Sequence, residues 1–321
     1  MSETKLNHIT NRQKYNDSEE EVSLSELFSA VWGKRWVVIF ITSVFTGASL
    51  FYALNLPNQY QATAILAPAS SSSSSSLSKM TGQLGGLASL AGINIGRGGG
   101  DEKTLIALEV IKAWDFLEKF IENNELQVEV FAAKGWSRST NSLIIEPSLY
   151  DINAKEWVRE FDATTGKEAK PSSWELFLKL RDKVTVKTDK TSGLVSLSVE
   201  HYSPYIAKSW VDLLVAAVNL HVQQRDRRAA IRNIEYLKSK INETKVSEMQ
   251  TVFYQLIEEQ TKKLMLAEVS DGYVFDVISP AKIPEEKSKP RRGVIVILAT
   301  LVGGVFSVLF VLFRFFYSNR H

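Results

Sequence analysis

Residues 288–304 read SKPRRGVIVILATLVGG, a proline and two arginines running straight into an apolar segment. That segment continues without a charge from Gly293 to Phe313. A helix crosses the hydrocarbon core of a bilayer in about 20 residues, so the stretch predicts a membrane span. Nearer the N-terminus, Trp36–Leu54 is a second uncharged run of nearly the same length. This earlier run could alternatively be a signal peptide, with Lys34-Arg35 as its basic region and Ala62-Thr63-Ala64 as a cleavage site. However, it is longer than a usual signal core, and a long polar tail (1–35) precedes it. The expected organisation is a tail (1–35), a span (36–54), a domain (55–292), a second span (293–313) and a short tail (314–321).

Two spans place both termini on one side of the membrane, and the flanking charges disagree about which side. Lys34 and Arg35 precede the first span, and no positive charge follows until Lys79. Lys287, Lys289, Arg291 and Arg292 precede the second, with only Arg314 and Arg320 after it. The first span usually dominates, and the positive-inside rule weakens across a loop as long as 55–292. The middle, 55–292, is therefore expected outside the inner membrane, with both termini in the cytoplasm. A net charge of +2 over 321 residues gives no global basic field suited to nucleic acid. Cysteine is absent, which rules out disulfides, thiolate nucleophiles and cysteine metal sites. The mean hydropathy of −0.08 averages two very apolar segments with a polar middle.

Within the middle, YQATAIL at 60–66 reads as a short strand. A serine run (70–76) and a glycine-rich stretch between Gly82 and Gly100 follow. Residues 70–100 read as a flexible surface loop, or alternatively as a mobile segment that docks on a partner. Apolar spacing predicts a helix over 103–123, while 125–170 shows no sustained period. Ser172-Ser173 with Glu175 predicts a capped helix. KVTVK (183–187) and LVSLSVE (194–200) alternate on either side of turn residues and predict an antiparallel hairpin.

Ser203-Pro204 is a helix start, and the long stretch Tyr205–Glu268 contains neither glycine nor proline. One continuous helix there would span roughly 96 Å. The apolar stripe lapses at QQRDRR (223–228), where the helix is expected to leave its packing partner and project as an arm. A simple two-helix hairpin bent near Gln223 is the alternative. YVFDVI (273–278) returns as a strand, and Pro280, Pro284 and Pro290 enforce an extended run back to the membrane. The expected fold class is α+β: two transmembrane helices flank a mixed-sheet base domain with a long protruding helical arm over 204–268.

This arrangement resembles the polysaccharide co-polymerases, the Wzz-type chain-length determinants of bacterial surface glycans. The resemblance rests on the span near residue 40, YQATAIL, GLVSLSVEHYSPYIAKSWVDLLVAAVN (193–219) and KLMLAEVSDGYVFDVISPAKIPEEKSKPRR (263–292), in that order. It implies that the KSKPRR cluster lies outside the inner membrane, so the first span sets orientation. It implies also a homo-oligomeric ring with a periplasmic domain, working with a glycan polymerase on lipid-linked polysaccharide to set modal chain length. With only a short tail (314–321) after Phe313, the form without a fused kinase is expected.

Rival readings are weaker. The histidines (His8, His201, His221, His321) lack the companions of a metal site, no GxSxG elbow occurs, and neither catalysis nor a cofactor is expected. A sensor would need cytoplasmic machinery, and a secretion adaptor would usually need one span; an export component for capsule or exopolysaccharide is a further alternative. Arg225, Arg227, Arg228 and Arg232 crowd one section of the long helix. They read either as a solvated face or as a polar belt touching glycan or a neighbouring protomer, arginine offering several donors. Gly47 with Ala48, and Gly303 with Gly304, read either as close-packing positions between spans or as the ordinary glycine content of membrane helices.

Overall fold

The computed structural model describes residues 32–69, 99–161, 166–269 and 272–319; most of the polar N-terminal tail and almost all of the serine- and glycine-rich stretch lie outside them. Helix α1 (Arg35–Asn55) leads to strand β1 (Tyr60–Pro68), and α2 (Gly99–Val110), α3 (Trp114–Asn123) and α4 (Gln127–Phe131) follow. Four short strands come next: β2 (Ala133–Ser137), β3 (Ser142–Ile145), β4 (Tyr150–Asp151) and β5 (Glu156–Trp157). Then come α5 (Ser173–Arg181), β6 (Val184–Thr188), β7 (Val195–His201), α6 (Pro204–Glu243), α7 (Ser247–Val269), β8 (Phe275–Ser279) and α8 (Arg292–Asn319). The chain divides into two compact units, one made of the terminal segments to Leu56 and from Arg291, the other Pro57–Pro290.

The middle unit is built on a four-stranded sheet in the order β6-β7-β1-β8. Every pairing is antiparallel, which corrects the expected mixed sheet. The reason lies in the chain's path: entry and exit run side by side, with Gln59 bridged antiparallel to Lys289, so the strands that continue them also run in opposite directions. Along β1 the buried residues alternate as Ala62, Ala64 and Leu66, opposite Val199, Leu197 and Val195 of β7. The two alanines leave room on the buried face for α6, which lays Ala207, Trp210, Val211, Leu214 and Val218 into the core.

Several local signals match the expected elements. Ser172 accepts from the Glu175 amide at 3.2 Å, and the Glu175 carboxylate accepts from the Ser172 amide at 3.1 Å, a reciprocal cap on α5. Ser203 caps α6 with proline in its first turn. The helix expected over 103–123 is instead two, α2 and α3. Ala113 is extended (ψ 140°) where α3 begins, and the bend lets Ile111 and the face carrying Phe116, Leu117 and Phe120 be buried together.

The long helix is also two helices. α6 passes without interruption through QQRDRR, and Thr244 is extended (ψ 126°) at its end. α7 then runs back along α6. The arm is thus a hairpin turning at 244–246, neither one continuous helix nor a bend near Gln223. No glycine or proline makes this turn. Gln250 does so by donating from Nε2 to the Thr244 carbonyl at 2.8 Å and the Ile241 carbonyl at 3.4 Å, taking up carbonyls that the helix end leaves open.

Two buried polar residues organise the base. Asn219 of α6 accepts at Oδ1 from the amides of Val274 (3.0 Å) and Phe275 (2.9 Å) and donates from Nδ2 to the Phe275 carbonyl (3.0 Å). His201 accepts at Nδ1 from the Ser203 amide (3.1 Å), so Nε2 carries the proton and donates to the Glu129 carbonyl (3.3 Å). Its ring packs against Trp210 with centroids 4.8 Å apart, and the Trp210 indole donates to the Glu129 carboxylate at 3.2 Å. Burial, reinforced by the Lys183 ammonium, pushes the His201 pKa down to about 3, and burial raises that of Glu129.

Replacing Asn219 with alanine strands two buried amides and a carbonyl. The change should destabilise the protein by roughly 2–4 kcal/mol, read from denaturant unfolding of the detergent-solubilised chain. A second expectation concerns pH. The unfolded histidine takes up a proton near 6.5 and the folded one only near 3. As pH falls through that window the unfolded state therefore gains the proton, and stability drops by up to about 1.4 kcal/mol per pH unit. The raised Glu129 opposes this, since its folded carboxyl holds a proton that the unfolded one has released. In unfolding measured at several pH values, His201→Gln should flatten the slope between about pH 6 and pH 4.

Candidate functional site

Beyond Val222, α6 buries only Ala230, because the segment is polar and packs mainly against α7, with a few contacts to α2. Here a cleft of about 410 Å³ opens, bordered by Lys103 and Glu102 of α2, Arg225 and Asp226 of α6, Lys263 of α7, and Tyr273. Tyr273 lies at its centre. Its hydroxyl donates to Asp226 Oδ2 at 2.8 Å and accepts from Lys103 Nζ at 2.8 Å. The same ammonium lies 3.5 Å from Asp226 and 4.1 Å from the centre of the tyrosine ring. Burial and the Asp226 carboxylate push the Tyr273 hydroxyl pKa up, so it remains a proton donor at any physiological pH.

The four arginines do not share one role. Arg225 borders the cleft, with Nε 3.7 Å from Asp226. Arg227 reaches across the hairpin to Glu268 at 3.7 Å. Arg228 donates to the Gln224 carbonyl at 3.2 Å, and Arg232 is exposed. Positions 225, 228 and 232 follow the i, i+3, i+7 spacing of one helix face, whereas 227 falls on another. Adjacency in sequence brought together residues that a helix separates.

The prolines lie on the exit path. Pro280 is exposed and Pro290 half-buried, while Pro284 lines a second cavity of about 400 Å³. The segment is held by Gln59, whose amide donates to the Lys289 carbonyl at 2.9 Å and whose carbonyl accepts from the Ser288 amide at 2.8 Å. Sequence reasoning missed the residues facing Pro284 in that cavity, among them Trp136 on β2. So short a strand, with Gly135 inside it, gives no period to detect.

The terminal unit pairs α1 with α8. Both are long and apolar enough to cross a membrane, with mean hydropathies of 2.0 and 2.8 in Arg35–Asn55 and Arg292–Arg314. A Cβ at Gly303 would lie 2.7 Å from the Phe45 Cβ, so the helices touch there, whereas Gly47 and Gly304 face open space. Thr46 and Thr300 hydroxyls join at 2.9 Å, and those of Thr42 and Ser307 lie 3.5 Å apart, polar links between largely apolar faces. Among the described residues no group of three histidine, aspartate or glutamate side chains is placed to hold a metal ion.

These features define a class: an α+β domain with a helical arm, held at both of its ends by apolar helices of membrane-spanning length. The family model "Chain length determinant protein" (Wzz) matches residues 20–124, and a second, "G-rich domain on putative tyrosine kinase", matches 243–316. Over residues 20–124 the chain is thus similar to the Wzz chain-length-determinant proteins. The second match points towards a tyrosine-kinase-associated form, whereas the sequence reading expected the form without a fused kinase. No curated protein matches the chain. Among solved structures, a full-length bacterial polysaccharide co-polymerase is 13% identical with a TM-score of 0.38, the match covering 92% of this chain and 99% of that one. A fragment of WzzB, a polysaccharide co-polymerase from Salmonella Typhimurium, is 12% identical with a TM-score of 0.31, covering 72% and 100% respectively.

Proposed function

We propose that the protein sets the modal length of a lipid-linked surface polysaccharide, acting in the bacterial inner membrane with its middle domain in the periplasm and both termini in the cytoplasm. The observation that carries this reading is the chain-length-determinant match over 20–124, which spans the first apolar helix and enters the base domain. The two terminal apolar helices support the membrane setting. The function is regulatory: a separate glycan polymerase makes the bonds, and this chain, as a ring of identical subunits, governs when extension stops. An O-antigen-like polymer is the proposed product. The arm and the cleft at its root, with Arg225, Arg228 and Arg232 on one face, are the proposed surfaces for glycan or for a neighbouring protomer.

Deleting the gene and separating the surface polysaccharide by electrophoresis should replace a modal cluster of lengths with a broad ladder, polymer still being made. Complete loss of polymer would point to an enzyme instead. Orientation is tested separately: a reporter active only in the periplasm should work when inserted at Ser139 and fail when fused after His321. The reverse pattern would place the KSKPRR cluster, and not Lys34-Arg35, on the cytoplasmic side.

A further inference from the structure

The cavity beside Pro284 is assembled from three elements that are distant in sequence. Tyr60 opens β1, Tyr205 stands in the first turn of α6, and Trp136 lies on β2. The Tyr60 and Trp136 rings meet edge to face, with centroids 5.8 Å apart and planes at 82°; Tyr205 is 6.2 Å from Trp136 at 53°. Arg138, Asn141 and Glu285 add polar groups to a lining that also includes the apolar Pro204 and Ile283. Asn141 adopts a left-handed backbone (φ 48°), which asparagine tolerates in tight turns. That turn brings its side-chain oxygen to accept from the Trp136 indole at 3.1 Å.

With its one donor engaged, Trp136 offers the cavity an apolar ring face. Asn141 keeps an amide group with two hydrogens to donate. Among the described residues, the Arg138 guanidinium and the Glu285 carboxylate make no ion pair or side-chain hydrogen bond with the rest of the chain, and both are exposed. The lining therefore combines aromatic faces, unengaged donors, unengaged acceptors and no net charge. An anion would meet Glu285, and a cation Arg138. A wholly apolar ligand would strip water from both without replacing its hydrogen bonds. A nucleobase stacks best on an open aromatic platform in a basic groove, and these rings are tilted against one another in a neutral setting.

A sugar ring satisfies every part of the lining. Its axial C–H bonds form an apolar face that packs on an aromatic ring by dispersion and by attraction to the electron-rich ring face. Its rim of hydroxyls both donates and accepts, matching Arg138, Asn141 and Glu285. The volume of about 400 Å³ lies within the range of small-ligand sites and suits one or two sugar units. We infer that the Tyr60–Trp136–Tyr205 cavity is a saccharide-binding subsite of the base domain, separate from the arm. That the saccharide is the growing surface polymer rests on the chain-length reading; that the site takes a saccharide rests on the lining alone.

The test uses the full chain in detergent micelles and, as probe, surface polysaccharide of the host strain freed from lipid by mild acid and cut to a few repeat units. Saturation-transfer NMR should show signal at the sugar ring protons with the wild-type protein and none with Trp136→Ala. Arg138→Ala and Glu285→Gln alter exposed groups and keep the fold; each should weaken binding about tenfold, while Trp136→Phe should restore part of it. Equal signals from wild type and all the variants, or none from wild type, would overturn the inference. The two proposals fail separately. An unchanged polymer ladder on gene deletion removes the chain-length reading and leaves sugar binding standing. A broadened ladder with no sugar signal from the wild-type protein removes only the subsite.

Discussion

The three hydrogen bonds of Asn219 are the constraint on which the middle domain depends. After the arm, the chain must rejoin the sheet at its edge beside β1, and the burial of Val274 and Phe275 alone does not set its register there. Asn219 recognises the backbone itself, holding both amides at Val274 and Phe275 and the carbonyl of Phe275. Because it stands on α6, the same helix that lies across β1 and β7, one side chain fixes where the arm ends relative to where it began. Phe275 is then fully buried, and β8 pairs with β1 as far as Ser279.

Base and arm are held by different physics. In the base, Trp210, Leu214, Val218 and their neighbours are removed from water, a non-directional and strong stabilisation. In the arm, Tyr236, Met249, Val252, Tyr254 and Met265 are all at least half exposed. What joins the two helices there includes an Arg227–Glu268 pair at 3.7 Å and an Asn233–Gln260 contact at 3.5 Å, exposed interactions that contribute little singly. The hairpin is therefore the part of the domain that opens most easily, and its apolar side chains stand ready for another surface.

Much of this was legible in the sequence, and the exceptions have particular causes. Alternation disclosed β6 and β7, the short run YQATAIL disclosed β1, and Ser172-x-x-Glu175 disclosed a capped helix, because each signal is local and complete within a short stretch. The turn at 244–246 was invisible because Thr244, Lys245 and Val246 are no breakers; a side chain further along, Gln250, stabilises it. Sheet direction depended on the Gln59–Lys289 pairing, which joins the two far ends of the domain and which no local pattern encodes. The arginines were correctly seen as a cluster along the chain, yet helical geometry sends Arg227 to Glu268 and leaves Arg228 and Arg232 elsewhere. The aromatic cavity was missed because its three rings come from three elements, one of them a short strand containing glycine.

The hairpin form of the arm has a consequence for how such a domain can vary. A single projecting helix must return by some other route, so any change in its length disturbs that route. Two antiparallel helices joined at their tip return alongside themselves. Seven residues added to each, about 10.5 Å of rise at 1.5 Å per residue, would preserve the facing sides of both and leave the sheet, Asn219 and the neighbouring entry and exit strands untouched. The arm is in this sense a telescoping module, whose reach can drift over evolutionary time while the socket that holds it stays the same.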